Sequence, residues 1–122
     1  MLVTRFEDLE VWIGARYLVK EVYQYTFDKS LNQDFALRDQ IRRSVISVMA
    51  NIAEGFERKS NKEFIQFLRY SVASAAETKS HLYIALDLSY IIQDQFDKSR
   101  DQIDVVSRQL KSFIKHLIKT KP

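Results

Sequence analysis

The pattern of apolar residues in the middle of the chain predicts a helix over residues 38–57. Apolar side chains recur there at steps of four, three, four and four positions, at Ile41, Val45, Val48, Ile52 and Phe56. Residues spaced by three or four lie on one side of an α-helix, whereas a strand alternates with a period of two. The stripe therefore indicates a helix with an apolar side and excludes a strand.

A short turn at residues 58–60 separates this helix from a second one, predicted over residues 61–88. Ser60 and Glu63 have the spacing of a capping box, in which the serine hydroxyl accepts a bond from the N–H of Glu63 and the glutamate reaches back to Ser60. The second helix carries two apolar stripes, which begin at Phe64 and Leu68. Two helices joined by so short a turn form an antiparallel hairpin.

Two further helices are predicted outside the hairpin, at residues 7–27 and 94–119. The first is apolar on two sides, whereas the last has a single apolar stripe with heptad spacing. Turns are predicted at residues 28–32 and 89–93, with Asp34 as the cap of the helix that follows the first turn. These elements predict one all-α domain over residues 1–122, an antiparallel up-down-up-down four-helix bundle.

The helices predicted at residues 7–27, 38–57 and 61–88 carry more apolar or small-residue surface than a lone bundle needs to bury. This excess predicts association between copies of the chain. Ser44 and its neighbours at helical spacing form a small, polar side on the helix at residues 38–57, where another backbone could approach closely. For Glu54, an ion pair with Arg58 is favoured over a role as a pocket acid. The predicted oligomer interface comprises Trp12, Ser47, Asn51, Glu54, Gly55, Val72, Ala76 and Tyr83.

The amino-acid composition excludes several classes of protein but does not indicate a function. The 122 residues are 46% hydrophobic and 29% charged, an ordinary balance for a globular domain, and two glycines and one proline suit long helices with short connections. The absence of cysteine excludes disulfides and thiol chemistry. The charged first twenty residues do not resemble a signal peptide, and no apolar run is long enough to span a bilayer, so a cytoplasmic protein is expected.

The sequence shows no catalytic or metal-binding motif. No pattern places a nucleophile beside a general base, and there is no glycine-rich phosphate loop. Glu77 and His81 are four residues apart, whereas the di-iron sites of helix bundles use a spacing of three, and His116 is the other histidine. We therefore expect no enzyme activity, no bound metal and no cofactor.

The formal net charge is +3, from 19 basic and 16 acidic residues, which is compatible with nucleic-acid binding but does not require it. Within the predicted hairpin the candidate phosphate-binding residues are Arg38, Arg42, Arg43, Arg58, Lys59, Lys62 and Arg69. The alternative, a solvated surface balanced by nearby acids, is favoured by the residues alone. Tyr17, Tyr25 and Tyr70 could stack on bases or line a subunit contact.

Several uncommon motifs occur in order along the chain: FEDLEVW near the N-terminus, FALRDQIRRS, NIAEGFERKSNKEF and IALDLSYI. In this combination the chain resembles the family of four-helix-bundle proteins called 23S rRNA-intervening sequence proteins, from Phe6 to about Ile91. Two positions depart from the family pattern. Met49 and Ala50 stand where a proline is frequent, and Ser89 stands in place of a glycine.

The resemblance implies a ring-shaped homopentamer, and the family is similar to the accessory protein of diversity-generating retroelements. That relative is a pentameric bundle whose basic surface engages nucleic acid and a reverse transcriptase. We therefore expect a non-catalytic oligomer that binds structured RNA or DNA through phosphates, and a reverse transcriptase or another protein is a further candidate partner. Two alternatives stay open: a protein-interaction scaffold that binds no nucleic acid, and a small-ligand or metal site at the bundle centre.

Overall fold

The computed structural model describes residues 2–120. A single 3-10 turn at Phe6–Asp8 precedes five helices: α1 (Glu10–Thr26), α2 (Lys29–Gln33), α3 (Phe35–Glu57), α4 (Asn61–Asp87) and α5 (Gln93–Lys119). The four long helices form a ring of neighbours in which α1 and α4 each pack against both α3 and α5. Successive long helices are antiparallel, and there is no strand in the described part of the chain. The predicted all-α four-helix bundle is confirmed.

Local capping fixes where the hairpin helices begin. The Asp34 carboxylate accepts from the Leu37 N–H at 3.2 Å, and the Ser60 hydroxyl accepts from the Glu63 N–H at 3.1 Å, as predicted. The reciprocal half of the capping box is not formed, because the Glu63 carboxylate lies 3.7 Å from a nitrogen of Arg58 instead. Both caps satisfy a backbone donor that would otherwise lack a partner.

The helix boundaries differ from the prediction chiefly before residue 35. The first long helix begins at Glu10 rather than Glu7, because the preceding residues form the 3-10 turn. The predicted turn at residues 28–32 contains the short helix α2, which Asp28 caps by accepting from the Ser30 N–H at 3.1 Å. α3 begins at Phe35, directly after the predicted cap Asp34 and three residues before the start of the predicted apolar stretch at residue 38.

Both apolar sides of α1 are covered within the chain along most of the helix, and Phe27, directly after it, is exposed. Ala15, Leu18 and Val22 are fully buried between the neighbouring helices α3 and α5. Trp12, a predicted interface residue, is only 8% exposed, and its ring packs against Phe6 with 5.2 Å between centroids. A helix in a four-membered ring has two neighbours, and this accounts for its two apolar sides.

The small side of α3 faces α4 of the same chain and not another copy. Serine and threonine hydroxyls meet there: Ser71 donates to the Val48 carbonyl at 2.6 Å, and Thr78 Oγ1 lies 2.9 Å from Ser44 Oγ. A third pair, Ser47 and Ser74, is 2.9 Å apart. These three contacts form the hydroxyl seam between α3 and α4. Because each hydroxyl has a partner, their burial leaves no polar group unsatisfied at the seam.

Gly55 permits a close approach of α4 to α3. A Cβ built on this glycine would lie 2.7 Å from Cβ of Phe67 and 2.9 Å from Cδ1 of Phe64. Carbon atoms at van der Waals contact are separated by about 3.5 Å or more, so a side chain does not fit. The contact predicted for Gly55 in an oligomer is therefore made inside the chain, and the residue is buried.

The turn between α4 and α5 explains one departure from the family pattern. Ser89, which stands in place of a glycine, has φ of +61°, in the left-handed region that disfavours residues with a side chain. This conformation lets the N–H of Tyr90 return to the Ala85 carbonyl at 2.8 Å. The bond closes the C-terminus of α4 in the manner that helix-ending glycines provide.

Burial of Tyr25 between α1 and α5 makes stability depend on pH at the alkaline end. The Tyr25 hydroxyl lies 2.9 Å from Ser99 Oγ and donates to the Gln95 carbonyl at 3.1 Å. Burial raises the pKa of Tyr25 above its ordinary value of 10.0. In the unfolded chain Tyr25 loses its proton at a lower pH than in the folded chain. The free energy of unfolding should therefore fall as pH rises above about 10.

The variant Tyr25→Phe separates the stability that comes from the hydroxyl contacts from the pH dependence that comes from the raised pKa. Loss of the hydroxyl contacts should lower the free energy of unfolding by about 1 kcal/mol near neutral pH. Between about pH 9 and pH 11 the variant should lose less stability than the wild type, because the raised pKa is gone. Urea unfolding at each pH measures both effects, with the exposed Tyr17→Phe as the control. Equal alkaline losses in wild type and Tyr25→Phe would contradict the prediction.

Candidate nucleic-acid interface

The seven predicted basic residues do not form one surface, because α3 turns them toward different neighbours. Arg38 lies against the segment before α3, where its Nη1 donates to the Asn32 carbonyl at 3.1 Å and its Nε to Asp39 at 2.9 Å. The Nε of Arg42 donates to Thr26 Oγ1 at 2.8 Å. Both side chains are half-buried and hold the ends of α1, α2 and α3 together.

Arg58 at the α3–α4 turn is neutralised locally. Its guanidinium bonds the Glu54 carboxylate at 2.7 Å and lies 4.8 Å from the centroid of the Phe67 ring. Glu54 therefore forms the ion pair predicted for it, and this prediction is confirmed. An exposed i,i+4 pair adds little stability, but it removes the charge of Arg58 from the set available to phosphates.

Lys62 and Arg69, on α4, line a groove in which α5 forms the opposite wall. Three adjoining clefts make up this groove: the middle one shares Arg69 with the cleft nearer the α3–α4 turn, and Val72 and Lys111 with the cleft on its other side. It runs from the α3–α4 turn to the level of Lys79 and Asp104, which pair at 2.6 Å. We call it the α4–α5 groove. Its wall residues from α5 include Arg108, Lys111 and Ile114.

The groove is strongly basic from the α3–α4 turn as far as Arg108, which lines the same cleft as Lys79 and Asp104. Its cations are Lys62 and Arg69 from α4 and Arg108 and Lys111 from α5, and none has a carboxylate within 4.0 Å in the part of the chain that the structure describes. Over residues 107–120, α5 contains four basic residues and no acid. We call this region the basic half of the groove.

The floor of the basic half is apolar. Val72 is half-buried and Ile114 is buried, and the alkyl stems of the long cationic side chains extend over such a floor while their charged ends stay in water. Cations on two opposite walls can contact phosphates of one backbone from both sides. An extended polyanion would complement this arrangement in shape and charge.

The α5 contribution was missed at the sequence level. The acid-free run of basic residues near the C-terminus was visible, but cations at the C-terminus of a helix are already favoured by its dipole. Its proximity to Arg69 depends on the antiparallel packing of α4 against α5, which the spacing within each helix does not show.

Arg43 and Lys59 of the predicted set are exposed, and neither lines the α4–α5 groove. Neither has a carboxylate within 4.0 Å among residues 2–120. Of the three tyrosines proposed for base stacking, Tyr17 and Tyr70 are exposed, whereas Tyr25 is buried. The prediction for Tyr25 was therefore wrong, because its hydroxyl has partners inside the bundle.

Some residues of the predicted oligomer interface are buried within the chain, and others are exposed. Trp12 and Gly55 are buried within the chain, and Ser47 and Asn51 bond to each other at 2.9 Å beside the hydroxyl seam. Of the remaining four, Val72 is half-buried in the α4–α5 groove, and the exposed residues are Glu54, Ala76 and Tyr83. Of the predicted set, these three exposed residues are the most accessible to another copy.

No group of three or more potential metal-ligating side chains occurs within the described residues 2–120. Glu77 and His81 approach to 3.9 Å on one helix. In the same residues, no helix combines the length and apolar character needed to cross a membrane.

Comparisons with known proteins agree on one family. Residues 7–112 match the family described as 23S rRNA-intervening sequence protein. A crystal structure of a protein of unknown function from the S23 ribosomal protein family of Bacteroides thetaiotaomicron VPI-5482 is similar, with a TM-score of 0.79 and 25% sequence identity. The alignment covers 86% of this chain and 98% of that one. No curated protein matches the chain.

Proposed function

The chain belongs to the 23S rRNA-intervening sequence protein family, and from this premise we propose that it is a non-catalytic, homo-oligomeric bundle that binds structured RNA or DNA through phosphates. The basic half of the α4–α5 groove is the observation that supports binding. Four cations from two helices face one channel there without acidic partners within 4.0 Å among residues 2–120. Phosphate contacts need positive charge at suitable spacing and no particular base sequence.

The site favours contact with the backbone over recognition of bases. Lys62, Arg69, Arg108 and Lys111 extend from the sides of helices that are packed in the bundle. Recognition of a duplex sequence requires an element that enters a groove of the nucleic acid, and neither α4 nor α5 stands clear of its neighbours. Little sequence preference is therefore expected.

Salt dependence tests the binding proposal. If the four groove cations each contact one phosphate of a duplex, affinity should fall about 100-fold between roughly 50 and 200 mM salt. Fluorescence anisotropy with a labelled hairpin RNA and a labelled DNA duplex measures the slope. Absence of affinity for both probes at low salt would exclude the proposed function.

The proposed oligomer is a homopentamer in the cytoplasm, and the exposed surface of α4 supports association. Ala73, Ala76 and Ser80 are exposed on this helix, and Ala73 and Ala76 also line the edge of the α4–α5 groove. The large residues Tyr83 and Ile84 are close to half exposed. Aromatic side chains are enriched at interfaces between protein chains, and Tyr83 is such a residue. A reverse transcriptase or another protein is a further proposed partner.

Ala76→Glu should dissociate the oligomer without unfolding the chain. A carboxylate at an exposed helix position costs the isolated bundle little, but it places an unpaired charge in any contact between copies. Light scattering at micromolar protein should show the mass falling toward one chain, while the helical circular dichroism stays constant. Ala50→Glu, on the exposed side of α3, is the control. A wild-type protein of monomeric mass would contradict the prediction.

The alternative function, a protein-interaction scaffold that binds no nucleic acid, is supported by exposed aromatic residues such as Tyr17, which is on α1 and distant from the basic groove. The salt titration distinguishes the two functions. A scaffold would show no affinity for either probe, whereas the proposed function requires affinity that weakens steeply with salt.

A further inference from the structure

The two phenylalanines that flank α2 are unusually exposed. Phe27 follows α1 and Phe35 begins α3, and each is 65% exposed. Phenylalanine has no polar atom that benefits from water, and exposed aromatic rings near one another mark a binding surface more often than isolated apolar residues do. The apolar stripe of the first predicted helix included Phe27, but the structure places its ring at the surface.

An ordered guanidinium lies over each of these rings. The Cζ atom of Arg38 is 4.9 Å from the centroid of Phe35, and that of Arg42 is 5.1 Å from Phe27. Arg42 is also 5.0 Å from the centroid of Tyr23. These five residues form the aromatic corner. Because a guanidinium covers only one side of a ring, the exposure of Phe27 and Phe35 leaves their other surface in water.

The two arginines are held in place by hydrogen bonds that do not use the rings. Arg38 donates to both oxygen atoms of Asn32, at 3.0 and 3.1 Å, and Arg42 donates to Thr26 Oγ1 at 2.8 Å. Side chains fixed in this way lose little conformational entropy when a ligand binds. The stacked pairs are therefore preorganised before any partner arrives.

Most carboxylates near the aromatic corner bond to groups other than its arginines. Asp34 accepts from the Leu37 N–H and from the Tyr90 hydroxyl, and Asp28 accepts from the Ser30 N–H. Asp39 pairs with Arg38. Arg42 and the adjacent Arg43 have no carboxylate within 4.0 Å in the region that the structure describes. A ligand that is flat, aromatic and negatively charged complements this surface.

We propose that the aromatic corner stacks unpaired bases of a single-stranded stretch of RNA or DNA, with Arg42 and Arg43 close to its phosphates. The inference rests on the proposed function and deepens it, because the α4–α5 groove binds only the backbone. Bases inside a duplex already stack on each other, whereas unpaired bases stack readily on aromatic side chains and guanidinium planes. The corner thus selects nucleic acid that contains unpaired nucleotides.

A protein partner explains the corner less well. An apolar protein surface would bury the rings, but it would gain nothing from guanidinium groups fixed over them. An acidic peptide would use the charges of Arg42 and Arg43 and leave the exposed rings without a flat partner. A nucleotide strand uses both features at once.

The test uses a ten-nucleotide single strand that carries 2-aminopurine, whose fluorescence is quenched by stacking, and a blunt duplex without unpaired bases. Wild-type protein should quench the single strand. The double variant Phe27→Leu, Phe35→Leu should lose the quenching and bind the single strand about 10-fold or more weakly, with unchanged affinity for the duplex. Tyr17→Leu, at an exposed ring with no guanidinium within stacking distance among residues 2–120, should match the wild type.

The outcomes separate this inference from the proposed function. Duplex binding without quenching of the single strand by the wild type overturns the inference alone. Failure to bind either probe overturns the proposed function, and the inference with it. If the double variant instead changes the oligomer mass in light scattering, the rings are a subunit contact and the inference is overturned. Quenching by the wild type needs no substitution, so it decides the question even if the double variant does not fold.

Discussion

Gly55→Ala should destabilise the bundle by about 2 kcal/mol, although alanine is ordinarily the better helix former. The added Cβ would lie 2.7 Å from Cβ of Phe67, an atom fixed by its own backbone, and 3.3 Å from the carbonyl oxygen of Phe64. Separating α3 from α4 to relieve such overpacking costs about 3 kcal/mol. The helical preference of alanine returns about 1 kcal/mol of this.

Gly14→Ala is the control: it makes the same glycine-to-alanine change, but its expected effect on the free energy of unfolding has the opposite sign. At this position in α1 the nearest atoms to an added Cβ are Nε2 of Gln102 and Cγ2 of Val106, both 3.4 Å away and both in side chains. With ordinary contacts, the helical preference should prevail and stabilise the bundle by up to about 1 kcal/mol. Urea unfolding measures both variants. Equal stabilities for the two would show that α3 and α4 do not approach as closely as described.

Arg69→Glu combined with Lys111→Glu should weaken binding of a duplex about 100-fold at low salt. The two residues face the same cleft from opposite walls, so the substitutions replace two phosphate contacts by two repulsions. Each exposed cation contact contributes about 1 kcal/mol or slightly more, and 1.4 kcal/mol corresponds to a factor of ten. The slope of log affinity against log salt concentration should also become shallower, by the amount expected for the loss of about two phosphate contacts.

A matched control separates the site from total charge. Arg16→Glu with Lys20→Glu changes two exposed cations on α1, which packs against α3 and α5 but not beside α4. Each double variant lowers the formal net charge from +3 by four units, to −1. Affinity of the α1 variant should fall only slightly. Comparable losses in both variants would mean that overall charge, not the α4–α5 groove, governs binding.

Local signals in the sequence were sufficient for most of the fold. The stripe from Ile41 to Phe56 and the caps at Asp34 and Ser60 depend on neighbours within one turn of helix, and the structure confirms them. The five-residue helix α2 was missed because its residues were assigned to a turn and it is too short for an apolar period to repeat.

The α4–α5 groove depends on how whole helices are rotated against each other, which the spacing within one helix does not show. Arg38, Arg42 and Arg58 are in the same predicted hairpin as the groove residues Lys62 and Arg69, but they contact partners elsewhere. Lys111 is more than forty residues from Arg69 and lines the same cleft. The periodicity of each helix fixes which residues share a side, but it does not identify the neighbouring helix.

The same limit explains the misassignment of the small side of α3. Ser44, Ser47 and Gly55 do indicate that another backbone approaches closely, as expected, but such residues carry no information on whether it belongs to the same chain. An antiparallel hairpin partner, already connected through a short turn, reaches that side before a second copy can.

The hydroxyl seam has a thermal consequence. Unfolding raises the heat capacity through apolar surface and lowers it through polar surface. Ser47, Ser71 and Thr78 add polar surface to the α3–α4 contact, which also buries apolar residues such as Val48 and Leu68. Exposure of the seam on unfolding should therefore keep the heat-capacity change of the hairpin below the value that its apolar residues alone would give.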